Sequence, residues 1–248
     1  MVSRIVSLAP SATATLTALG LADCVVGVTA HCDLDRRTVG GWLNPDYETV
    51  AELSPDLVCT SDGLQREIRD ELADRGYGVH HHEPSRLNDV LAGFESLAAA
   101  AGDADVGEQL VAESRQRLDA VGERVAADTS GGDSDDRPVV YCEEWSDPPM
   151  AAGNWVPDAV EAAGGRYPFV DPGDRSQEVD QNTVVDADPD HAVLHICGTG
   201  EQVSAGRFSE RGWSVDAAVH VVDDSLLNQP SPKLIDGIEL LAERLYSE

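Results

Sequence analysis

Carboxylates and tryptophans lie close together in the stretch Tyr141–Gly165, where an apolar run ends. Glu144, Trp145 and Asp147 precede a Pro-Pro pair, and Trp155 stands where a helical pattern begins. Paired carboxylates can act as a general acid and base or as hydrogen-bonding contacts to a ligand, and tryptophans can support a flat apolar ligand. Because an apolar run precedes the stretch and a helix follows it, we expect it at the carboxyl end of a strand, where open α/β sheets bind ligands.

A second set of reactive side chains follows an apolar run in the first part of the sequence. His31 and Cys32 are ligand types that soft metal ions favour, so a metal-dependent enzyme using this pair and a carboxylate is one hypothesis. The alternatives are a histidine that faces a ligand and an ordinary buried cysteine. Trp42 lies in a glycine-rich loop. In a chain with 5% aromatic residues we interpret Trp42 and Trp145 as platforms for a ligand, one in each half.

The histidine run at residues 80–82 favours polar residues at a strand end over a metal site. Side chains alternate along a strand, so at most His80 and His82 share a face, and no further residue completes a metal shell. The common nucleotide, phosphate and hydrolase motifs are missing from the sequence. No residue type suited to nucleophilic attack has an evident base beside it. The sequence therefore favours a binding protein over an enzyme.

Short apolar runs alternate with helical patterns through the first part of the chain. The predicted strands are residues 4–9, 25–29, 57–60 and 79–82, and the predicted helices are residues 12–19, 45–53, 62–75 and 87–101. Ser11 and Asp62 are predicted to cap two of these helices. This alternation predicts an α/β lobe with a parallel sheet.

A long helix and a second α/β half follow. Helical spacing continues without a break over residues 105–127, and residues 129–136 have the composition of an exposed linker. The predicted strands of the second half are residues 139–143, 192–196 and 219–222, and its last helix is residues 234–246.

A weak internal repeat supports two similar halves. Thr49–Asp56 and Thr183–Asp190 both combine a helix end, a Pro-Asp pair and a following strand. We therefore predict an α/β fold of two Rossmann-like lobes with parallel sheets. The predicted N-terminal lobe is residues 1–103, the bridging α-helix is residues 104–128, and the C-terminal lobe is residues 129–248.

The charge of the chain excludes several partners. Asp and Glu total 46 against 17 Lys and Arg, which gives a formal net charge of −29. Nucleic acids and anionic membranes both require a cationic surface, so neither is expected, and no apolar run is long enough for membrane insertion. The acids are spread along the whole chain. That distribution favours a halophilic protein adapted to high salt over a protein with a specific cationic ligand.

The cysteines indicate a reducing compartment. The 5 cysteines show no CxxC spacing, as expected of reduced thiols, and the chain enters its first strand without an apolar leader. We therefore expect a cytoplasmic protein. If a leader peptide was removed, the alternative is an extracellular or membrane-associated protein.

Several motifs occur in one order along the chain. They are Arg4–Thr13, Gly27-Val28-Thr29, Trp42, Ser54–Val58, Ala162–Gly165 and Pro230-Ser231-Pro232. This order resembles the helical-backbone, or class III, substrate-binding proteins of ABC importers, which carry iron–siderophores, haem or cobalamin. The likeness is closest to the cobalamin-binding members, in an acidic, leaderless branch like that of haloarchaea. The resemblance implies two α/β lobes joined by one stiff helix, with the ligand in the cleft between the lobes.

The residues and the resemblance together lead us to expect a set of ligand-binding side chains. They are Ser11, His31, Cys32, Trp42, Ser61, Glu144, Trp145, Asp147, Trp155 and Asn228. His31 stands where the cobalamin binders have a ligand-facing tyrosine, and it is also the candidate ligand for the cobalt ion. Ser61 and Ser176 stand where those relatives have aromatic contacts.

We therefore expect a non-enzymatic binding protein for cobalamin or a related corrinoid, which serves transport, salvage or storage and requires no cofactor. A binding protein for an iron–siderophore, haem or another metal chelate is the alternative, and it would need Arg37, Arg66 or Arg207 to face the ligand. The importers dock on their permease through one glutamate per lobe. Glu48 matches the first of these and Asn182 stands at the second, so a permease partner and an intracellular role are both open.

Overall fold

The computed structural model describes residues 2–128 and 136–246 of the chain. The chain divides into two compact units, and both have the α/β character that the sequence predicts. The first unit comprises Met1–Pro84 and Asn88–Ser114, and the second comprises Ser85–Leu87 and Arg115–Glu248. Residues 129–135 of the predicted linker lie outside the described residues.

The first unit contains a five-stranded sheet in which each neighbouring pair is parallel. Its strands, in chain order, are β1 Ile5–Ser7, β2 Val25–Val28, β3 Arg37–Thr38, β4 Leu57–Ser61 and β5 Val79–His82, and their spatial order is β3-β2-β1-β4-β5. Its helices are α1 Pro10–Ala18, α2 Tyr47–Leu53, α3 Arg66–Asp74 and α4 Leu87–Ala101. Every residue of β1 and β4 is buried, which explains the continuous apolar runs in the sequence.

The predicted cap at Ser11 is wrong. Helix α1 begins at Pro10, the residue before its first turn is Ala9, and no side chain caps it. Proline has no N–H to satisfy and its φ suits a helix start, so the helix begins without a polar cap. Ser11 lies inside the first turn with 7% of its surface exposed. Asp62 does act as a cap, but of the short 3₁₀ turn Gly63–Gln65 that precedes α3.

The predicted long helix is confirmed as α5, Ala104–Asp128. The boundary between the two units falls within it, between Ser114 and Arg115. The helix therefore starts in one α/β unit and ends in the other.

The second unit contains a mixed sheet rather than the fully parallel one that the sequence predicts. Its strands are β6 Val140–Ser146, β7 Pro149–Ala151, β8 Gln177–Glu178, β9 His191–Leu194 and β10 Ala218–Val221. Their order is β10-β9-β6-β7-β8; the first three are parallel, whereas β7 is antiparallel to both β6 and β8. Its helices are α6 Val156–Ala162, α7 Gln181–Ala187, α8 Gly206–Ser209 and α9 Lys233–Tyr246.

The strand predicted to end at Glu143 continues to Ser146 and folds back through Asp147-Pro148 into β7. A Pro-Pro pair usually ends a strand, and the sequence prediction followed that rule. Here Pro149 is the first residue of β7, a position where a strand tolerates the missing N–H.

The internal repeat of the sequence is a repeat in the structure. Asp46 and Asp180, which lie 134 positions apart, stand directly before α2 and α7, and each accepts a hydrogen bond from the backbone N–H three residues further on. Ser54 and Asp188 follow the two helices in the left-handed conformation, with φ of 44° and 46°. In both units the next strand begins three residues later. The two halves thus share one helix–turn–strand unit.

Among the described helices, none is both long enough and apolar enough to cross a membrane.

Candidate ligand-binding site

Four segments of the first unit converge on one edge of its sheet, because the carboxyl ends of parallel strands lie at the same edge. Ser11 lies in the first turn of α1, which follows β1, the loops after β2 and β3 carry His31 and Trp42, and β4 ends at Ser61. His31 is exposed and Trp42 is half-buried. We call the ends of β1–β4 and the loops that follow them the carboxyl edge of the first sheet. The sequence predicted this convergence.

A buried glutamine holds this edge together. The Oε1 atom of Gln65 accepts a hydrogen bond from the Ser61 N–H at 2.7 Å. Its Nε2 atom donates to the backbone oxygens of Leu8 at 3.0 Å and Trp42 at 2.6 Å. None of the surface of Gln65 is exposed. Sequence reasoning missed Gln65, since a glutamine at a helix start is ordinarily exposed and two of its three partners, Leu8 and Trp42, are distant in sequence.

Two leucines at the same edge are exposed. Leu43 has 52% of its surface exposed and Leu64 has 57%. They are the sequence neighbours of Trp42 and Gln65, which the 2.6 Å hydrogen bond joins. Single exposed leucines are common, so these two gain interest only from their place in sequence beside Trp42 and Gln65. The sequence analysis did not identify these leucines.

His31 and Cys32 are adjacent in the loop after β2 but differ in their contacts. The Cys32 sulfur lies 3.2 Å from the Thr29 hydroxyl oxygen and is half-buried. Among residues 2–128 and 136–246, no group of three or more His, Cys, Asp and Glu side chains is arranged to hold a metal ion.

The histidine run on β5 packs into the first unit. His80 Nε2 lies 3.0 Å from the Ser96 hydroxyl of α4, and the His82 ring lies against Gly93 of the same helix. His81 instead contacts Thr60 and Glu83. Burial, with a smaller contribution from the neighbouring histidines, lowers the pKa of His80 to about 4, so this imidazole is neutral near pH 7. His80 and His82 do share a face, as strand alternation predicts, and that face packs against a helix.

In the second unit, β6 carries an extra residue opposite β7. Glu143 pairs with Ala151 and Trp145 with Met150, so Glu144 is the additional residue of a β-bulge. Without the bulge, Glu143 and Trp145 would point to the same face of the sheet. With it, Glu143 is fully buried whereas 48% of the Trp145 surface is exposed. Bulges often re-aim side chains beside functional sites, and this one turns a tryptophan toward solvent.

Trp145 and its neighbours combine an apolar surface with polar groups. The indole N–H of Trp145 donates to the Asp147 backbone oxygen at 3.0 Å. Glu144 is half-buried, and burial raises the pKa of its carboxyl, partly offset by a hydrogen bond with Ser176. Glu144 therefore presents a partly buried carboxyl next to the exposed indole of Trp145.

Asn228 lies at the same edge of the second sheet, after β10. Its Nδ2 atom donates to the His195 backbone oxygen at 3.0 Å, and its Oδ1 atom faces His195 Nδ1. Burial lowers the pKa of His195, whose surface is wholly inaccessible, to about 4. The imidazole is therefore neutral near pH 7, with the proton on Nδ1, because the Asn228 oxygen can only accept. The backbone of Glu144 is linked to the same region. The N–H of Cys197, two residues after His195, donates to the Glu144 backbone oxygen at 2.9 Å.

Three of the predicted ligand-binding residues are buried within their own unit. Trp155 has 7% of its surface exposed, and its indole N–H donates to the Leu227 backbone oxygen at 2.8 Å, beside Asn228. Ser61 has 6% exposed, and its hydroxyl donates to the His82 backbone oxygen at 3.0 Å. Ser11, in the first turn of α1, is the third. These residues stabilise the edges on which the more accessible candidates lie.

Comparison with known proteins extends the resemblance seen in the sequence. A vitamin B12-binding protein of Vibrio cholerae is 25% identical over 252 residues, covering 95% of this chain and 86% of the relative. An uncharacterised ABC transporter substrate-binding lipoprotein of Bacillus subtilis is 28% identical over 262 residues, covering 99% of this chain and 80% of the relative. A cobalamin-binding protein of Halobacterium salinarum is 26% identical over 261 residues, covering 98% of this chain and 69% of the relative.

Solved structures share the fold across almost the whole chain. The periplasmic vitamin B12-binding protein of Vibrio cholerae aligns with a TM-score of 0.79 at 23% identity, covering 98% of this chain and 96% of that one. A periplasmic haem-binding protein of Pseudomonas aeruginosa aligns with a TM-score of 0.83 at 21% identity, covering 99% and 93%. These matches confirm the predicted two-lobe α/β fold.

The family model described as periplasmic binding protein matches residues 5–214, which is most of the chain. The chain therefore belongs to the periplasmic binding protein family, whose members are substrate-binding proteins and not enzymes.

Proposed function

We propose that this protein binds cobalamin or a related corrinoid, and that the carboxyl edge of the second sheet contributes contacts. The observation that carries the proposal is Trp145, a large aromatic side chain that a β-bulge turns toward solvent with 48% of its surface exposed. A corrinoid is a broad apolar ring with a rim of amide groups. Trp145 suits the ring, and Glu144 and Asn228, which lie at the same edge of the sheet, suit amides, which both donate and accept hydrogen bonds.

The first sheet offers a similar combination. Its carboxyl edge carries Trp42, Leu43 and Leu64, which provide apolar area, and the exposed imidazole of His31. The names of the Vibrio cholerae and Halobacterium salinarum relatives, a vitamin B12-binding and a cobalamin-binding protein, support the same ligand class.

Charge favours a corrinoid over an anionic chelate. Haem and many ferric siderophores carry carboxylates or other anionic groups, which proteins usually bind with arginine. Two of the arginines that an anionic chelate would require are already paired, Arg37 with Glu52 and Arg66 with Glu83. The fold similarity to a haem-binding protein keeps haem as the competing ligand to be tested.

A spectroscopic titration tests the ligand class directly. The protein, first unfolded and refolded to remove any bound compound, is titrated in parallel with cyanocobalamin, dicyanocobinamide and haemin. We expect a dissociation constant below about 100 μM, or roughly −5.5 kcal/mol, for at least one corrinoid and weaker binding of haemin. Tighter binding of haemin than of either corrinoid would reverse the assignment.

Variants at the bulge test the proposed contacts. Trp145→Ala is expected to weaken corrinoid binding about tenfold or more, because it removes a large aromatic surface. Glu144→Ala is expected to weaken binding, whereas Glu144→Gln, whose amide also donates and accepts, is expected to retain most of it. Glu161→Gln, on the exposed surface of α6, is the matched control for a lost carboxylate. Equal affinity of Trp145→Ala and the unmodified protein would refute the contact.

His31 has a distinct test because it is also the proposed cobalt ligand. Coordination of an imidazole changes the visible absorption of aquacobinamide. We expect such a change on binding to the protein and its loss in His31→Ala. An unchanged spectrum of the bound corrinoid would limit His31 to hydrogen bonding.

Two cellular roles, a cytoplasmic carrier or store and a partner of a permease, differ in their use of the surface residue Glu48. Glu48, exposed in the first turn of α2, corresponds in the internal repeat to Asn182, exposed in the first turn of α7. Only Glu48 supplies a carboxylate at these two positions. We therefore propose that the protein acts as a cytoplasmic corrinoid carrier or store. Docking on a permease would instead make the protein sediment with cell membranes, and Glu48→Arg would release it. Fractionation of the native cells distinguishes these roles.

A further inference from the structure

A carboxylate is enclosed at the base of the β-bulge. None of the surface of Glu143 is exposed. The Tyr141 hydroxyl donates to its Oε2 atom at 2.9 Å, and the Ser146 hydroxyl donates to its Oε1 atom at 2.7 Å. Arg211 donates to both oxygens, through Nη2 to Oε1 at 2.7 Å and through Nη1 to Oε2. The carboxylate therefore has a paired cation and hydrogen bonds on both oxygens, which are the conditions under which proteins tolerate a buried charge.

Arg211 reaches both sides of the bulge. Its Nη2 atom also donates to the backbone oxygen of Ser146 at 3.2 Å. Only 14% of its side chain is exposed, and its guanidinium carbon lies 4.9 Å from the centre of the Trp213 ring. Glu143 precedes the bulged residue Glu144 and Ser146 follows Trp145, so one guanidinium joins the two ends of the bulged segment. We call Glu143 and Arg211 the bulge clamp.

The bulge requires such a restraint because a simpler pairing is available. Regular antiparallel pairing between β6 and β7 would remove the extra residue at Glu144 and move Trp145 to the face that Glu143 occupies. A buried ion pair usually contributes little net stability, and its best-attested value is in specifying one register. The three atoms that Arg211 contacts, two on Glu143 and one on Ser146, lie on either side of the bulged residue.

We propose that the bulge clamp is a positioning device for ligand binding: Arg211 and Glu143 hold the bulge in the register that presents Glu144 and Trp145 to the ligand. This inference rests on the proposed function, because it assigns these two residues to the corrinoid contacts. Neither clamp residue touches the ligand. Arg211 acts through the backbone of Ser146, and Glu143 acts through Arg211.

The experiment compares a clamp-free variant with the unmodified protein in two measurements. Glu143→Gln combined with Arg211→Met leaves no buried charge and keeps an acceptor for Tyr141, so we expect it to fold. 5-Fluorotryptophan labelling gives one ¹⁹F signal for each of the 4 tryptophans, and Trp145→Phe identifies the Trp145 signal. Affinity for dicyanocobinamide is the second measurement. Glu71→Gln with Arg75→Met removes an exposed ion pair of the first unit and serves as the matched control.

In the clamp-free variant we expect a shifted or split Trp145 signal and an affinity about tenfold lower, equivalent to about 1.4 kcal/mol. The control variant should match the unmodified protein in both measurements. An unchanged Trp145 signal, or an unchanged affinity in the presence of a changed signal, would overturn the positioning role. If the clamp-free variant does not fold, Arg211→Lys replaces it, since a lysine keeps the charge but lacks the planar fork through which Arg211 contacts both Glu143 oxygens and Ser146.

Failure of the proposed function would look different. If the unmodified protein binds neither corrinoid, the ligand assignment fails. The Trp145 signal then still decides whether the clamp holds the bulge.

Discussion

Each unit buries one polar side chain that joins the loops at the edge of its sheet, and the two differ in charge. In the first unit Gln65, a neutral amide, contacts three backbone groups. In the second unit Glu143, a carboxylate, contacts a hydroxyl on each oxygen and Arg211. Both side chains have 0% of their surface exposed. The same structural role is therefore filled by an amide in one unit and by an ion pair in the other.

The difference follows from what each side chain must hold. In the first sheet the register shift between β1 and β2 lies at Ile5 and Val6, at the start of β1. Gln65 instead contacts Leu8 and Ser61, at the far ends of β1 and β4, where the parallel pairing of the two strands shows no shift. The second sheet contains a bulge with a competing register, so its restraint must discriminate between two backbone arrangements. Charged hydrogen bonds are roughly twice as strong as neutral ones and lose most when geometry changes. An ion pair is therefore the more selective restraint, and its loss has the larger cost.

The largest expected effect is that of breaking the ion pair from one side. Arg211→Met leaves the Glu143 carboxylate buried without its cation, so we expect the free energy of unfolding to fall by about 3–5 kcal/mol. Arg75→Met, which breaks an exposed pair with side chains 44% and 47% exposed, is expected to cost about 0–1 kcal/mol. Urea unfolding measures both. Similar losses of unfolding free energy in the two variants would show that the buried ion pair contributes no more to stability than the exposed one.

Acid should destabilise both units, the first through the partly buried His80 and the second through the fully buried His195. The pKa values of His80 in the first unit and His195 in the second are lowered to about 4, mainly by burial. The unfolded chain takes up these protons near pH 6.5 and the folded protein only near pH 4, so their contribution to stability is complete above pH 6.5 and is lost as the pH falls toward 4. We expect losses of order 2–3 kcal/mol for each histidine over this range.

Single variants assign that loss to a unit. His80→Gln and His195→Gln should each flatten the decline in unfolding free energy between pH 6.5 and 4, whatever their effect at pH 7. NMR titration of the imidazole carbon-bound protons is the direct check. A midpoint near 6.5 for either residue would contradict the burial that the structure shows.

The role of the neutral side chain, Gln65, is tested by removing its amide. Gln65→Leu removes the partners of the Ser61 N–H and of two backbone oxygens, so we expect a cost of about 1–3 kcal/mol, less than for Arg211→Met. Because Gln65 also holds the Trp42 backbone, Trp42 fluorescence should change in the folded variant. Gln109→Leu, on the exposed surface of α5, should remain within about 0.5 kcal/mol of the unmodified protein. A cost for Gln65→Leu equal to that of Arg211→Met would remove the distinction between the two units.

Local patterns in the sequence predicted most of the fold, because they report local physics. The apolar runs of β1 and β4 predicted buried parallel strands, and unbroken helical spacing predicted α5 within one residue at each end. The cap prediction at Ser11 failed because Pro10 offers an equally local but different way to start a helix. That competition between two start signals is not resolved by residue type alone.

The hydrogen bonds that hold the site could not be predicted from the sequence, because the residues that they join are distant along the chain. Gln65 reaches Leu8 across 57 positions, and Arg211 reaches Glu143 across 68. The bulge at Glu144 likewise depends on which residues of β7 lie opposite β6. Composition and loop position predicted Trp145 as a ligand platform. Its orientation follows from the bulge, so the sequence could not predict that orientation.

The smallest expected effect tests whether the internal repeat makes the two units equivalent anywhere. Asp46→Ala and Asp180→Ala remove the caps of α2 and α7, and each should lower the melting temperature by about 2–4 °C, since the backbone N–H three residues further on loses its acceptor in each case. Asp46 also accepts from the Glu48 N–H, so its variant should show the larger shift of the two. Asp119→Ala, on the exposed surface of α5, controls for the removal of one negative charge from an acidic chain. A shift in only one variant would mean that the two units share the geometry of the repeat but not its contribution to stability. The helix that lost its cap without effect would then be held by tertiary contacts.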